Sequence, residues 1–447
     1  MNMKQRVLSM AGLAFLTVVF GASVFAQRTG YSKEEFVGRR AALMDRIPDG
    51  MIVLFGETDS PPGAHFQQDN DFFYFTGNED ASAICLIAPR AKKTVLFLPQ
   101  QSDRERQVSG PNLLNDPQAK EKTGFTDIFP LSYFDEYVAR NMYWFGTKFH
   151  IRLSNRDRID EARSETGLFN ARRSRSPYND QTPLDAFRIA RLKELYPQFT
   201  FTDVTPLVDE MRVIKSAEEI EILRRNGKIS AEGVKRAMQA TKPGRFEYEI
   251  EAAAMGVILA GGATSAAYAP IVGSGPNTCI FHYDKNSRRV EAGDLVLMDF
   301  GACLDRLTMD ITRTWPASGT FTPEQKKVYR AVLEVQKACI EAYRPGATAK
   351  SVRDHVASVM KQKGIDPMGL EGGMGHFVGL STHDVGPHDS ALKAGMVFAI
   401  EPALYFPDKN IGIRIEDTVL ITETGCEVLT AGIPKEIEEI EKLLAGK

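Results

Sequence analysis

Two stretches of one form decide how this chain folds: Ala292-Gly-Asp-Leu-Val-Leu-Met-Asp299 and, 102 residues later, Ala394-Gly-Met-Val-Phe-Ala-Ile-Glu401. Each opens on a small residue and a glycine, runs through a short apolar segment and ends on an acid. Apolar runs of that length bounded by turn residues read as buried strands. Two further anchors keep the interval to within one residue. Lys242-Pro-Gly244 and Arg344-Pro-Gly346 are again 102 apart and each separates two helix-patterned stretches, while His282 and His383 are 101 apart. Matches in this order predict a duplication: two helix–helix–hairpin halves that pack their sheets together. Ser216-Ala-Glu-Glu219 has the form of a reciprocal helix cap, and Thr322-Pro-Glu-Gln325, with proline at the first helical position, opens the second half. The site is expected where the two sheets meet.

Four acids lie where that strand pattern predicts burial. Asp299 and Asp310 flank a loop centred on Leu304-Asp305, so an antiparallel hairpin is expected to set one opposite the other. Glu401 ends its strand, and Glu416 shares a face with Arg414 by two-residue alternation, leaving Ile413 and Ile415 on the other. Any one of these acids alone reads as an ordinary turn residue. Four together in a core are prohibitive unless cations compensate them. Two divalent ions balance four carboxylates, with His376 or His383 available as an imidazole ligand. Oxygen ligands with one nitrogen suit Mn²⁺ or a similar ion, with zinc and cobalt as alternatives. Such a pair bridges and ionises a water, which implies hydrolysis.

Rival motifs fail in context. Asp299-Phe-Gly301 imitates a kinase magnesium motif but lacks the accompanying catalytic loop. Gly273-Ser-Gly275 and Gly373-Met-Gly375 lack the strand–loop–helix setting of a nucleotide site, and neither His-Glu-x-x-His nor Gly-x-Ser-x-Gly occurs. His65, His150, His355 and His388 read as structural or exposed.

Working outward, the 447 residues suffice for two or three domains, and 55 Lys plus Arg against 58 Asp plus Glu exclude a basic, nucleic-acid-binding chain. Residues 1–26 have the pattern of a secretory signal peptide: Lys4 and Arg6, an apolar run from Val7 to Phe20, and Val24-Phe-Ala26 before Gln27. A membrane anchor is the weaker reading, because that run is short for a span. The mature protein is expected to be periplasmic or secreted, with no stable membrane anchor. Residues 28–205 form a smaller α/β domain with strands such as Met51–Phe55, Ala83–Ile87 and Thr94–Leu98; residues 206–447 form the duplicated catalytic domain, α+β overall. Arg163, Arg172, Arg173 and Arg175 are read as a solvated face in preference to an anion site. Five scattered cysteines without a Cys-x-x-Cys read as buried free thiols.

These residues resemble the pita-bread metallopeptidases, and within them the bacterial aminopeptidase P (Xaa-Pro aminopeptidase) family. Ile271-Val-Gly-Ser-Gly275, Phe281-His-Tyr283, Val296–Ala302, Met309–Thr314, Gly375–Gly386, Ile400-Glu-Pro402 and Gly412–Asp417 are similar to successive family blocks. Phe66–Gly77 resembles that family's N-terminal domain, which the shorter methionine aminopeptidases lack. By motif, Asp299, Asp310, His376, Glu401 and Glu416 take the five metal-ligand positions, with Asp310 and Glu416 bridging. Glu401 takes the position of a carboxylate that handles the transferred proton. His282 and His383 take the positions of histidines that contact substrate and the developing intermediate, and Tyr405 and Arg414 those of the proline pocket. The resemblance implies a metal-bridging hydroxide that removes the N-terminal residue from small peptides with proline second. It also implies a homodimer or homotetramer. The chain departs from the family at Gly372, where a histidine is usual, and at Leu307, where a tyrosine is usual. Neither is a metal ligand, so the ions are still expected to bind while proton handling or substrate range differs. Prolidase, cutting Xaa-Pro dipeptides, is the nearest rival. A creatinase-like enzyme lacks the metal set, and a non-catalytic metal-binding module is the alternative from another class.

Overall fold

Strand Met51–Phe55 sits at the middle of a six-stranded sheet because both of its faces are apolar. Ile52 and Leu54 pack into one core, and Met51 and Val53 into another. The computed structural model describes residues 30–59, 65–175, 178, 182–370, 372, 375–387 and 390–446, so the expected signal peptide and His388 lie outside the described residues. The sheet runs, edge to edge, through Asp127–Pro130, Lys93–Leu98, Ile84–Ala88, Met51–Phe55, Lys148–Ile151 and Thr200–Asp203. The three consecutive strands from Met51 to Leu98 pair antiparallel, and the remaining pairs are parallel. Helices Phe134–Phe145 and Leu184–Leu195 cover the Met51/Val53 face. The opposite face packs Phe72, Phe73 and Phe75 together with Leu304, Leu307, Val378 and Leu380 of the C-terminal unit. The two units therefore share one core, and each large side chain buried there contributes about 1.5–3 kcal/mol.

The C-terminal unit repeats itself in three dimensions. Helices Ala217–Ala240 and Glu247–Ala260 precede the antiparallel strands Ile271–Ser274, Leu295–Phe300 and Ile311–Pro316. Helices Pro323–Ala342 and Ala349–Lys363 precede His376–Phe377, Val397–Ile400, Asp417–Ile421 and Cys426–Val428, also antiparallel. Backbone bonds recur at the sequence interval. Gly244 N donates to Val290 O and Gly346 N to Leu392 O, each at 2.8 Å, and Val290 N and Leu392 N return bonds to Arg245 O and Ala347 O at 2.8 Å. Gly293 and Gly395 hold φ of +91° and +87°, a conformation that costs glycine little. Both reciprocal caps form: Glu219 N donates to Ser216 Oγ, and Gln325 N to Thr322 Oγ1, each at 3.2 Å.

The first hairpin differs from the expected register. Asp299 pairs with Thr312, not with Asp310. The turn centres on Asp305-Arg306, whose φ values of +49° and +70° suit a tight two-residue hairpin, closed by Leu304 N to Leu307 O at 2.9 Å. Moving the centre by one residue shifts each partner by two, which preserves the face. Asp310 is thus a diagonal neighbour of Asp299.

Leu307 is fully buried in the core shared by the two units. Its departure from the family pattern is a packing residue. The five cysteines are free thiols, with Cys85, Cys303 and Cys339 buried. His65 is exposed, His355 is half-buried on the surface of its helix, and His150 is buried beside Asp49. Arg172 and Arg175 are exposed, as a solvated arginine face requires, but Arg163 departs from that reading: it is largely buried among Asp71, Asp157 and Asp209, at 2.7–3.1 Å.

Candidate active site

The second hairpin explains why Glu401 and Glu416 meet. Ile400 pairs with Asp417 and Ala403 with Arg414, so one register continues across a break at Pro402. Proline has no N–H to give the ladder, and the strands open there with Glu401 opposite Glu416. The two hairpins then run side by side. Glu416 N donates to Thr312 O at 3.0 Å, Arg414 N to Thr314 Oγ1 at 3.2 Å, and Thr418 Oγ1 to Asp310 O at 2.6 Å. Alternation sends Arg414 and Glu416 toward the acids, while Ile413 and Ile415 enter the core.

Asp310, His376 and Glu416 present ligand atoms that all lie within 4.8 Å of one another. His376 Nδ1 donates to Phe377 O at 3.1 Å, which leaves the Nε2 lone pair facing the acids, 3.5 Å from both Asp310 Oδ2 and Glu401 Oε1. Asp299 stands outside this trio. Its Oδ2 accepts from the Arg414 guanidinium at 2.5 Å, and its Oδ1 accepts from the Tyr268 hydroxyl. That same hydroxyl lies 2.5 Å from Asp310 Oδ1, and one phenol hydrogen cannot serve two carboxylates at once.

The electrostatics demand positive charge. Burial, reinforced by Asp299 and Glu401, pushes the Asp310 carboxyl well above the usual range, and burial with Asp310 does the same to Glu416. Partial burial and Asp299 raise Glu401, and burial with Asp299 raises the Tyr268 phenol. Burial, with His383 beside it, lowers His376 to about 4 and keeps it neutral, the state a metal ligand needs. Glu416 Oε2 accepts from Thr312 Oγ1 at 2.7 Å, but Oε1 is buried with no partner. An orphaned carboxylate oxygen inside an acid cluster beside a neutral imidazole fits divalent cations, and the oxygen-rich donor set suits Mn²⁺-like ions.

A cleft of about 740 Å³ opens over these groups, lined by His282, His383, Glu401 and Arg414 and, across from them, by Glu165, Leu168 and Phe169 of the N-terminal unit. The rings of His383 and His376 stand edge to face, 4.4 Å apart. Tyr405 accepts from Arg414 at 2.8 Å and packs on Phe281 at 4.5 Å. A larger groove of about 870 Å³ beside helix Lys33–Arg46 is lined by Glu34, Glu35, Asp209, Glu210 and Glu218, but by no histidine among the described residues.

Sequence reasoning missed Tyr268, Thr312 and Glu165. Tyr268 lies in the loop between two strands, where no periodicity marks it. Glu165 lies on helix Arg163–Arg173, inside the stretch read as exposed, and its Oε1 is 3.0 Å from His383 Nδ1. Gly372 has φ +67°, and a Cβ there meets Val356 Cγ2 at 2.9 Å and Cys339 Sγ at 3.0 Å. Glycine at this position is a backbone requirement.

Residues 221–423 match the model of metallopeptidase family M24, and residues 36–145 match that of the aminopeptidase P N-terminal domain. The chain is 34% identical to the Xaa-Pro aminopeptidase of Escherichia coli K12, covering 93% of this chain and 98% of the relative. A Xaa-Pro dipeptidase of Pyrococcus furiosus is 37% identical but covers only 52% of this chain and 66% of its own. The solved structure of E. coli aminopeptidase P with the inhibitor Pro-Leu aligns at a TM-score of 0.78 and 30% identity, over 93% of this chain and 99% of that one.

Proposed function

This chain belongs to the Xaa-Pro aminopeptidase family within metallopeptidase family M24, and from that membership we propose an enzyme that removes the N-terminal residue from peptides with proline second, exported on the strength of the signal-peptide pattern in residues 1–26. It is a metallo-aminopeptidase, a hydrolase. The finer reading assigns Asp299, Asp310, His376, Glu401 and Glu416 as ligands of two divalent ions, Mn²⁺ by preference, with Asp310 and Glu416 shared. When bound, such a pair supplies charge balance, polarises the scissile carbonyl and provides a hydroxide nucleophile at neutral pH.

The residues of this chain do the rest. Glu401 faces the cleft with a raised affinity for protons, and it takes the proton released on attack and carries it to the departing proline nitrogen. His282 and His383, on the cleft wall, meet the substrate carbonyl, where polar contacts gain strength as charge develops. Arg414, fixed by Asp299 and Tyr405, anchors the proline side together with the Tyr405 ring and Phe281. A shaped pocket is needed because an Xaa-Pro amide has no N–H and restricts the residue before it, so strand-like recognition fails.

The buried, partnerless Glu416 Oε1 within the acid cluster is the observation that carries this reading. Elemental analysis of the purified mature protein tests it: two divalent ions per chain are expected, with Xaa-Pro-Xaa hydrolysis lost on chelation and restored by Mn²⁺. A protein that binds no divalent ion, or cleaves equally well without one, contradicts it. Export predicts a mature N-terminus at Gln27, read by N-terminal sequencing of protein from the periplasm or medium. A homodimer or homotetramer, proposed from the family resemblance, is checked by light scattering.

A further inference from the structure

We propose that Glu165 is a positioning residue for His383, so that the N-terminal domain completes the active site from within the same chain. The inference rests on the reading above, in which His383 meets the substrate. The loop that carries His383 is fastened to the N-terminal unit at each neighbouring residue. Thr382 N donates to Ile159 O at 2.8 Å, and Ser381 Oγ to Glu161 O at 3.5 Å. Asp384 Oδ1 accepts from Arg212 at 2.6 Å, and the same guanidinium donates to Asp157 Oδ2 at 2.6 Å. These contacts fix the backbone on either side of His383 and leave its imidazole free to turn.

Glu165 removes that freedom. Its Oε1 accepts from His383 Nδ1 at 3.0 Å. Its Oε2 accepts from Ala162 N at 2.7 Å, at the start of its own helix, so the carboxylate is held at one oxygen and holds the ring with the other. With Nδ1–H committed to Glu165, Nε2 is the ring nitrogen presented to the cleft, the arrangement by which an outer carboxylate sets tautomer and orientation of a working histidine. Both side chains are near 40% exposed, so substitution at Glu165 opens no hole in the core.

The test compares the parent with Glu165→Leu and Glu165→Gln, full-length mature chain in each case. With Mn²⁺ and a Xaa-Pro-Xaa tripeptide, Glu165→Leu is expected to lose about ten-fold in kcat with KM within two-fold, the signature of a misaimed transition-state group. Glu165→Gln, which keeps one acceptor oxygen, is expected to lose less. Long-range ¹H–¹⁵N spectra of the zinc-loaded proteins read the ring directly, with His383 assigned by His383→Gln. Nδ1 carries the proton in the parent, and Glu165→Leu shifts it toward Nε2. A kcat for Glu165→Leu within two-fold of the parent, or an unchanged His383 nitrogen pattern, overturns the proposal. A fall in kcat that tracks a fall in Tm with that pattern unchanged also overturns it. A parent inactive on every Xaa-Pro peptide defeats the functional reading instead, and the nitrogen pattern then decides the role of Glu165 alone.

Discussion

Thr312, on the first hairpin, donates its hydroxyl to Oε2 of Glu416 on the second at 2.7 Å, while Glu416 Oε1 beside it is buried without a partner. The hydroxyl pins one carboxylate oxygen so that the other faces the acid cluster. Thr312 also receives Arg414 Nε at 3.1 Å, so one side chain of the first half of the duplication orients two site residues of the second. Thr312→Val keeps the shape and removes both contacts. Loss of such an outer-shell partner is expected to weaken divalent-ion affinity about 10–100-fold, with little change in secondary structure. Isothermal titration with Mn²⁺ measures it.

Metal removal is expected to make stability fall as pH rises. Asp310 and Glu416 have folded-state proton affinities raised by burial, whereas unfolded they titrate near about 4. The folded state then binds more protons above that pH, and its stability is lost progressively as each acid deprotonates. His376, lowered to about 4, acts oppositely up to about pH 6.5, where an unfolded histidine titrates, but it is one group against two. Bound divalent ions offset the acids' charge. Thermal unfolding of chelated and metal-loaded protein from pH 5 to 8 should show a gap in Tm that widens with pH.

Arg212 is expected to be costly to remove. Its guanidinium is buried and donates to Asp71 at 2.7 Å, to Asp157 at 2.6 Å and to Asp384 at 2.6 Å. Burial of the guanidinium is opposed by these three acids, and they hold it firmly protonated. Arg212→Met leaves acids without compensation and should destabilise by about 3–5 kcal/mol, read from urea unfolding. Conservative changes at the exposed Lys350–Asp354 pair should stay within about 1 kcal/mol.

Gly372→His is expected to damage the enzyme instead of restoring a missing function. The position has φ +67°, and an added Cβ meets Val356 and Cys339 at 3.0 Å or less. Left-handed backbone in a bulky residue costs about 1–3 kcal/mol. A lowered Tm with no gain in Xaa-Pro hydrolysis is the predicted outcome, and a gain at unchanged Tm contradicts it.

The acids were legible because burial and charge conflict in sequence as they do in space: Asp299 and Glu401 each end an apolar run, and the duplication pairs them. Arg414 and Glu416 followed from two-residue alternation. The register of the first hairpin was not legible, since it turns on which two residues adopt positive φ, and Asp305-Arg306 lacks the glycine that marks such turns. Tyr268, Glu165 and the Asp71–Arg212–Asp384 ion pairs were also hidden. Their partners are 31 to 218 residues away in the chain, and nothing local in a loop tyrosine or a helical glutamate encodes a distant acid or histidine.

The central claim is tested most directly by incubating the Mn²⁺-loaded mature protein with a matched tripeptide Xaa-Pro-Xaa and dipeptide Xaa-Pro, beside a chelated control, and identifying products by mass. The account predicts release of the N-terminal residue from the tripeptide, abolished by chelation. Cleavage of the dipeptide alone would make the enzyme a prolidase, and no cleavage of either by a protein carrying two ions per chain would contradict proline-directed aminopeptidase activity.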